Sequence, residues 1–180
     1  MMKKQENKDM YEYLIYFLAF SFLGWCAEVL YHIFKERKFV NRGLAKGPIC
    51  PIYGIGISLS YFILGSVKSF FLLAVFSMAI ATAVELAAGF IFDKVFGVRL
   101  WDYRAERGNI NGYVCPRFSL IWGIVCAAII RLIPYLEPII RLAASPRAAA
   151  LVFTLSVLAF VDIEREIIKT ASGDKRFKIE

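Results

Sequence analysis

The chain has 180 residues, 59% of them hydrophobic, and a formal net charge of +7. A soluble domain of this size buries its core without several apolar runs of membrane-spanning length, so the composition excludes an ordinary soluble globule. In so apolar a chain the surplus of Lys and Arg marks basic loops held beside anionic lipid, and a nucleic-acid partner is not expected.

Taken in order, the apolar runs cover residues 11–34, 48–67, 70–92, 113–133 and 148–163, the last continuing to Ile168. Each approaches or exceeds the ~20 residues that cross a ~30 Å hydrocarbon core. The first run is too long for a secretory signal peptide and more spans follow it. Prolines 134, 138 and 146 surround residues 135–142. That segment reads as too interrupted to span, and is expected in the outer interface. The fold expected is therefore all-α, a polytopic membrane helical bundle with five transmembrane helices. It forms a single integral membrane domain over 1–168, with a polar tail over 169–180.

Basic residues set the orientation. With five spans, the 34–48 and 92–113 connections and the C-terminal tail share one side, which holds 15 Lys and Arg against 7 on the other when Arg117 is included. By the positive-inside rule, that side is the cytoplasmic face of the cell membrane and the N-terminus lies outside. Lys3, Lys4 and Lys8 pull against this assignment.

The four cysteines, Cys26, Cys50, Cys115 and Cys126, form no CxxC pair. They read as small packing residues, with no metal site or disulfide scaffold. No Walker A, GxSxG, HExxH or dinucleotide fingerprint occurs, and no cofactor is expected.

Two halves of the chain look alike. GWCAEVLYHIF followed by NRGLAKGPICPIYG is matched by AVELAAGFIFD followed by RGNINGYVCPRFSLIWG. Glu28 aligns with Glu85, Cys50-Pro51 with Cys115-Pro116, and Gly54 roughly with Gly123. A duplicated two-helix unit, over residues 11–67 and 70–133, would have parallel topology, with the fifth helix at 148–168 outside it.

An ionisable group near the centre of a membrane helix costs roughly 3 kcal/mol on insertion scales, so two carboxylates in apolar runs need an explanation. Glu28 and Glu85 are the leading site candidates. His32, one turn beyond Glu28, is a possible proton partner, and Asp162 in the last run points to the same membrane side. Asn41, Arg42, Asp102, Asn109 and Asn111 occupy the polar connections, and Arg117 lies just inside the fourth run. Two readings stand for the glutamates. They are structural charge pairs, for instance Glu85 with Arg117, or they relay protons or cations and coordinate substrate. Two-carboxylate catalysis is a third, and no catalytic residue is assigned. The Asn/Gly-rich connections read either as rigid turns, with Pro48 opening the second helix, or as a cytoplasm-facing vestibule.

GWCAEVLY, NRGLAKGPICPIYG, the WDY of Trp101–Tyr103 and NINGYVCPRFSLIWG together resemble the family called Putative ABC-transporter type IV, small bacterial multi-pass membrane proteins. The resemblance covers roughly residues 11–165. Arg104 stands where the pattern suggests a small hydroxyl residue, and Pro116 where it suggests an aliphatic one. The resemblance implies a transport-related role and supplies no catalytic residues. A chain this small without nucleotide chemistry would need a separate ATPase partner, an ion gradient or homo-oligomerisation to complete a pathway. An intramembrane enzyme acting on a lipid-like substrate and a non-catalytic assembly or regulatory protein are the alternatives.

Overall fold

A computed structural model describes residues 2–37 and 48–143, together with residues 154, 157, 158, 161 and 165. The described residues form four α-helices: α1 (Met2–Glu36), α2 (Pro51–Leu64), α3 (Phe70–Lys94) and α4 (Pro116–Ala143). The chain is all-α, as its sequence suggests, but the five-span expectation is corrected. Among the described residues three helices are long and apolar enough to cross a membrane, over Glu12–Lys35, Phe70–Lys94 and Pro116–Pro138.

The second expected span fails on length. Its apolar run covers 48–67, yet only 14 residues are helical, about 21 Å at 1.5 Å per residue. Pro51, not Pro48, opens the helix, at the position where its missing N–H is tolerated. The residue before a proline is biased towards extended backbone. Here that residue, Cys50, donates its N–H to the Ser21 carbonyl at 2.9 Å. The run closes at Leu64, where Gly65 and Val67 form turn bonds to Tyr61 and Leu64. The fifth expected span lies almost wholly outside the described residues. The expected interruption of 135–142 is also corrected, since α4 continues through Pro134 and Pro138. Each proline removes one helical hydrogen bond but has a helix-compatible φ.

The chain divides into two compact units. In the first, α1 packs against the start of α2. In the second, Leu59–Leu132, the end of α2 is followed by α3 and most of α4. Leu64, Leu73, Ala127 and Ile130 form a buried cluster there, with Tyr61, Val67, Ala74 and Ile80 packed on it. Ser69 caps α3 by accepting from the Leu72 N–H, and Arg131 donates to the carbonyls of Val67 and Lys68. These groups satisfy backbone polar atoms that an apolar setting would otherwise penalise. Only 22% of the α3 apolar window is buried. The rest, including Phe71, Phe76, Phe90 and Ile91, presents an apolar surface suited to lipid.

α3 and α4 approach closely at Gly123. A Cβ there would stand 2.6 Å from the Ala74 carbonyl oxygen and 2.7 Å from Met78 Cβ. Gly123→Ala is therefore expected to destabilise the protein by about 1–3 kcal/mol, read as a lower thermal unfolding midpoint in detergent. Gly56→Ala is the control, because a Cβ there meets nothing within 4 Å. It should keep the wild-type midpoint or exceed it slightly, since alanine favours helix.

Candidate functional site: two tyrosine-held carboxylates and a charged turn

In the first unit Glu28 lies near the end of α1, with its side chain 31% exposed. Tyr53, in the first turn of α2, donates its hydroxyl to Glu28 Oε1 at 2.6 Å. Local sequence explains the reach. Pro51 starts the helix, the Cys50–Ser21 bond ties that start to α1, and Gly24 leaves room for the Tyr53 ring. Any Cβ at Gly24 would overlap that ring. His32 is buried, and its Nε2 stands 3.9 Å from Glu28 Oε2, beyond direct hydrogen bonding.

In the second unit Glu85 is 3% exposed and shares the buried stripe of α3 with Leu73, Ser77, Ala81 and Gly89. These residues recur every four positions, the spacing that keeps one helix face together. Tyr103, from the α3–α4 connection, donates to Glu85 Oε1 at 2.9 Å. Its ring stacks on Phe118 with centroids 4.7 Å apart. Trp122 also approaches the carboxylate, while Oε2 is buried without a hydrogen bond of regular geometry. Arg117 is not the partner of Glu85. It turns to Glu106, with Nη1 3.3 Å from Oε1.

The two units use the same spacings. Gly54 lies against Phe17 and Ser21, eleven and seven residues before Glu28. Gly123 lies against Ala74 and Met78, eleven and seven residues before Glu85. The residue before each glycine is aromatic, Tyr53 in one case and Trp122 in the other, and each approaches its unit's carboxylate. The contacts thus pair IYG with IWG. Relative to the Cys-Pro steps, the second unit carries one extra helical turn between Pro116 and Gly123. Phe118, the platform for Tyr103, sits in that turn.

The connection that delivers Tyr103 is tightly made. Asn111 and Gly112 have φ of 53° and 77°, and Tyr113 N–H donates to the Ile110 carbonyl at 2.9 Å. Two positive φ values in the centre of a closed four-residue turn are the type I′ signature, for which Asn-Gly is the favoured pair. Asn109 braces the turn by accepting from the Gly112 N–H and donating to the Glu106 carbonyl. Trp101 donates its indole N–H to the Tyr113 carbonyl at 2.7 Å. Tyr103 N–H donates to the Gly112 carbonyl at 2.8 Å. Asn109 and Asn111 therefore serve as turn residues.

Charge gathers around this turn. Arg99 holds Asp93 through Nε and Nη2, both at 3.2 Å, and donates Nη1 to the Asn111 carbonyl. Its guanidinium sits over the Tyr113 ring, 5.0 Å from the centroid, and Tyr113 donates its hydroxyl to Asp93 at 2.6 Å. Asp102 accepts from both the backbone and the side chain of Arg104. Those bonds hold the Asp102 carboxyl below the usual aspartate range and lift Arg104 further.

Of the sequence-derived candidates, the structure brings His32 near Glu28 and puts Asp102, Asn109 and Asn111 in the charged turn. Asn41, Arg42 and Asp162 lie outside the described residues. The hydroxyl donors Tyr53 and Tyr103 and the Arg99–Asp93–Tyr113 cluster are not among the sequence-derived candidates. The available signal was an aromatic residue in each motif, PIYG and WDY, following an embedded glutamate.

The Asp93 carboxylate accepts a hydrogen bond from the Tyr113 hydroxyl and pushes the Tyr113 pKa up. A raised folded value contributes stability below the unfolded value near ~10, and that contribution disappears as pH rises through the folded value. Tyr113 is thus expected to ionise above pH ~10, later than a free tyrosine, in an absorbance titration of tyrosinate compared with Tyr113→Phe. Thermal stability of the wild type should fall more steeply than that of Tyr113→Phe over the same alkaline range. Asp102 has the opposite sign. Its ion pair contributes above the ordinary range near ~4 and is lost as pH falls through the lowered folded value.

Comparison with curated proteins and with solved structures gives no match. A family model described as Putative ABC-transporter type IV matches residues 15–166, most of the chain and, except for a few terminal residues, the three candidate spans among the described residues. This chain belongs to the Putative ABC-transporter type IV family and is a multi-pass membrane protein.

Proposed function

We propose that the protein is a transport-related membrane component whose Glu28 and Glu85 bind a proton or a cationic group of the transported species. The observation that carries this reading is Glu85. It is buried on an apolar helix, one oxygen is fixed by Tyr103, and the other has no regular hydrogen bond. A carboxylate in such a place is expensive, and an ionisable group inside a membrane helix marks a candidate functional site. The pairing with Arg117, which would make it a structural ion, is absent because Arg117 pairs with Glu106.

The equal spacings in the two units support reading residues 11–67 and 70–133 as a duplication with one carboxylate per copy. The family description names a transporter type, which agrees with this role. A complete pathway would draw on an ion gradient, a separate ATPase subunit or a second copy of this chain.

Uptake into proteoliposomes across a panel of ions and small metabolites tests the reading, with Glu28→Gln and Glu85→Gln beside wild type. The expected result is flux by the wild type that falls at least tenfold in Glu85→Gln while its thermal midpoint shows it folded. Undiminished flux in folded Glu85→Gln contradicts the role of that carboxylate. Absence of both flux and ligand-dependent stabilisation across the panel contradicts the transport reading.

A further inference from the structure

A second polar feature lies in the same unit as Glu85, and none of its charged groups bonds Glu85. Where α3 ends and the connection to α4 begins, an open cleft of about 350 Å³ is lined by Phe90, Lys94, Arg99, Arg104, Asn111 and Tyr113. Three cations line it. The acids in contact with them are Asp93, which meets Lys94 at 3.4 Å and Arg99, and Asp102, which meets Arg99 at 3.7 Å and Arg104. Among the described residues, three positive groups against two negative ones leave one unbalanced positive charge. The arrangement is built into the backbone: a Cβ at Gly112 would fall 2.6 Å from Asp102 Oδ1, 2.8 Å from Arg104 Cγ and 2.9 Å from Arg99 Nη1.

The three cations are not equivalent. Arg99 is committed on all sides, to Asp93, to the Asn111 carbonyl and to the Tyr113 ring, so it fixes the shape of the cleft. Lys94 and Arg104 are the open ones, with side chains 60% and 68% exposed. A Lys ammonium has three donors and an Arg guanidinium five, more than their contacts with Asp93 and Asp102 occupy. Phe90, one helical turn before Lys94 and 53% exposed, adds an apolar wall. It belongs to the apolar stretch of α3, while Arg104 belongs to the polar connection. The cleft therefore offers cationic donors beside an apolar wall at the end of a membrane helix.

Those properties match one chemical class. An anionic phosphate carrying an apolar chain puts its charge on Lys94 and Arg104 and its chain along Phe90 and the lipid-facing side of α3. We propose that this cleft binds the phosphate headgroup of an anionic membrane lipid. This site is separate from the Glu28 and Glu85 reading and does not depend on it. A free phosphate shares the headgroup chemistry but makes no use of the apolar wall.

The test is thermal stabilisation of the purified full-length protein in a neutral detergent, titrated with short-chain phosphatidylglycerol, short-chain phosphatidylcholine and inorganic phosphate. Wild type is compared with Lys94→Gln and Arg104→Gln, each assayed at low and high salt. The expected result is saturable stabilisation by phosphatidylglycerol, weak or none by phosphatidylcholine, and an affinity reduced about fivefold or more in each variant and by added salt. Equal response to phosphatidylcholine, or unchanged phosphatidylglycerol affinity in both variants, overturns the site. Stabilisation by inorganic phosphate equal to that by phosphatidylglycerol overturns the lipid assignment in favour of a free phosphate. Should Arg104→Gln unfold through loss of Asp102, Lys94→Gln decides alone, because it leaves the Arg99–Asp93 and Arg104–Asp102 pairs in place.

Discussion

The bond from Tyr103 to Glu85 is the constraint around which the second unit is organised. A carboxylate buried on an apolar membrane helix must find a donor within the protein, because lipid offers none. The donor comes from the connection after the helix, and a connection delivers a hydroxyl accurately only if it is itself rigid. The Asn111–Gly112 turn, the Asn109 brace and the Trp101 indole bond supply that rigidity. Phe118 then fixes the plane of the Tyr103 ring. Remove the carboxylate and much of this local order loses its purpose.

The first unit solves the same problem with fewer parts. Tyr53 reaches Glu28 directly from the first turn of α2, because Gly24 and Gly54 let the two helices meet closely. In the second unit the corresponding aromatic is Trp122, and the extra turn of α4 leaves room for Tyr103 to provide a hydroxyl. The surroundings differ accordingly: Glu28 remains partly accessible with His32 nearby, whereas Glu85 is enclosed. The same spacing thus yields two carboxylates of unequal accessibility.

Much of this was legible in the residues. Glu28 and Glu85 stand out because charge is rare in apolar runs, and the Asn-Gly turn because few other pairs accept two positive φ values. Other features resist sequence reading for definite reasons. Hydropathy cannot see that residues 48–50 and 65–67 leave the helix, since apolar composition reports a solvent preference and not a backbone conformation. It equally misses that α4 passes Pro134 and Pro138, because a proline breaks a helix only when the lost bond is not offset by the surroundings. Arg117 suggests itself as the ion partner of Glu85 by charge alone. At the second residue of α4 it lies closer to the polar connection, where Glu106 receives it. Tyr53 and Tyr103 look like packing aromatics until folding brings their hydroxyls across 25 and 18 residues of chain.

A double-mutant cycle on Glu85 and Tyr103 tests the central claim most directly. Wild type, Glu85→Gln, Tyr103→Phe and the double variant would be unfolded thermally in the same detergent. The account predicts coupling of about 1 kcal/mol or more, the scale of a buried hydrogen bond to a carboxyl group. Additive effects, within about 0.5 kcal/mol, would contradict it and leave Glu85 without the partner on which the unit is built.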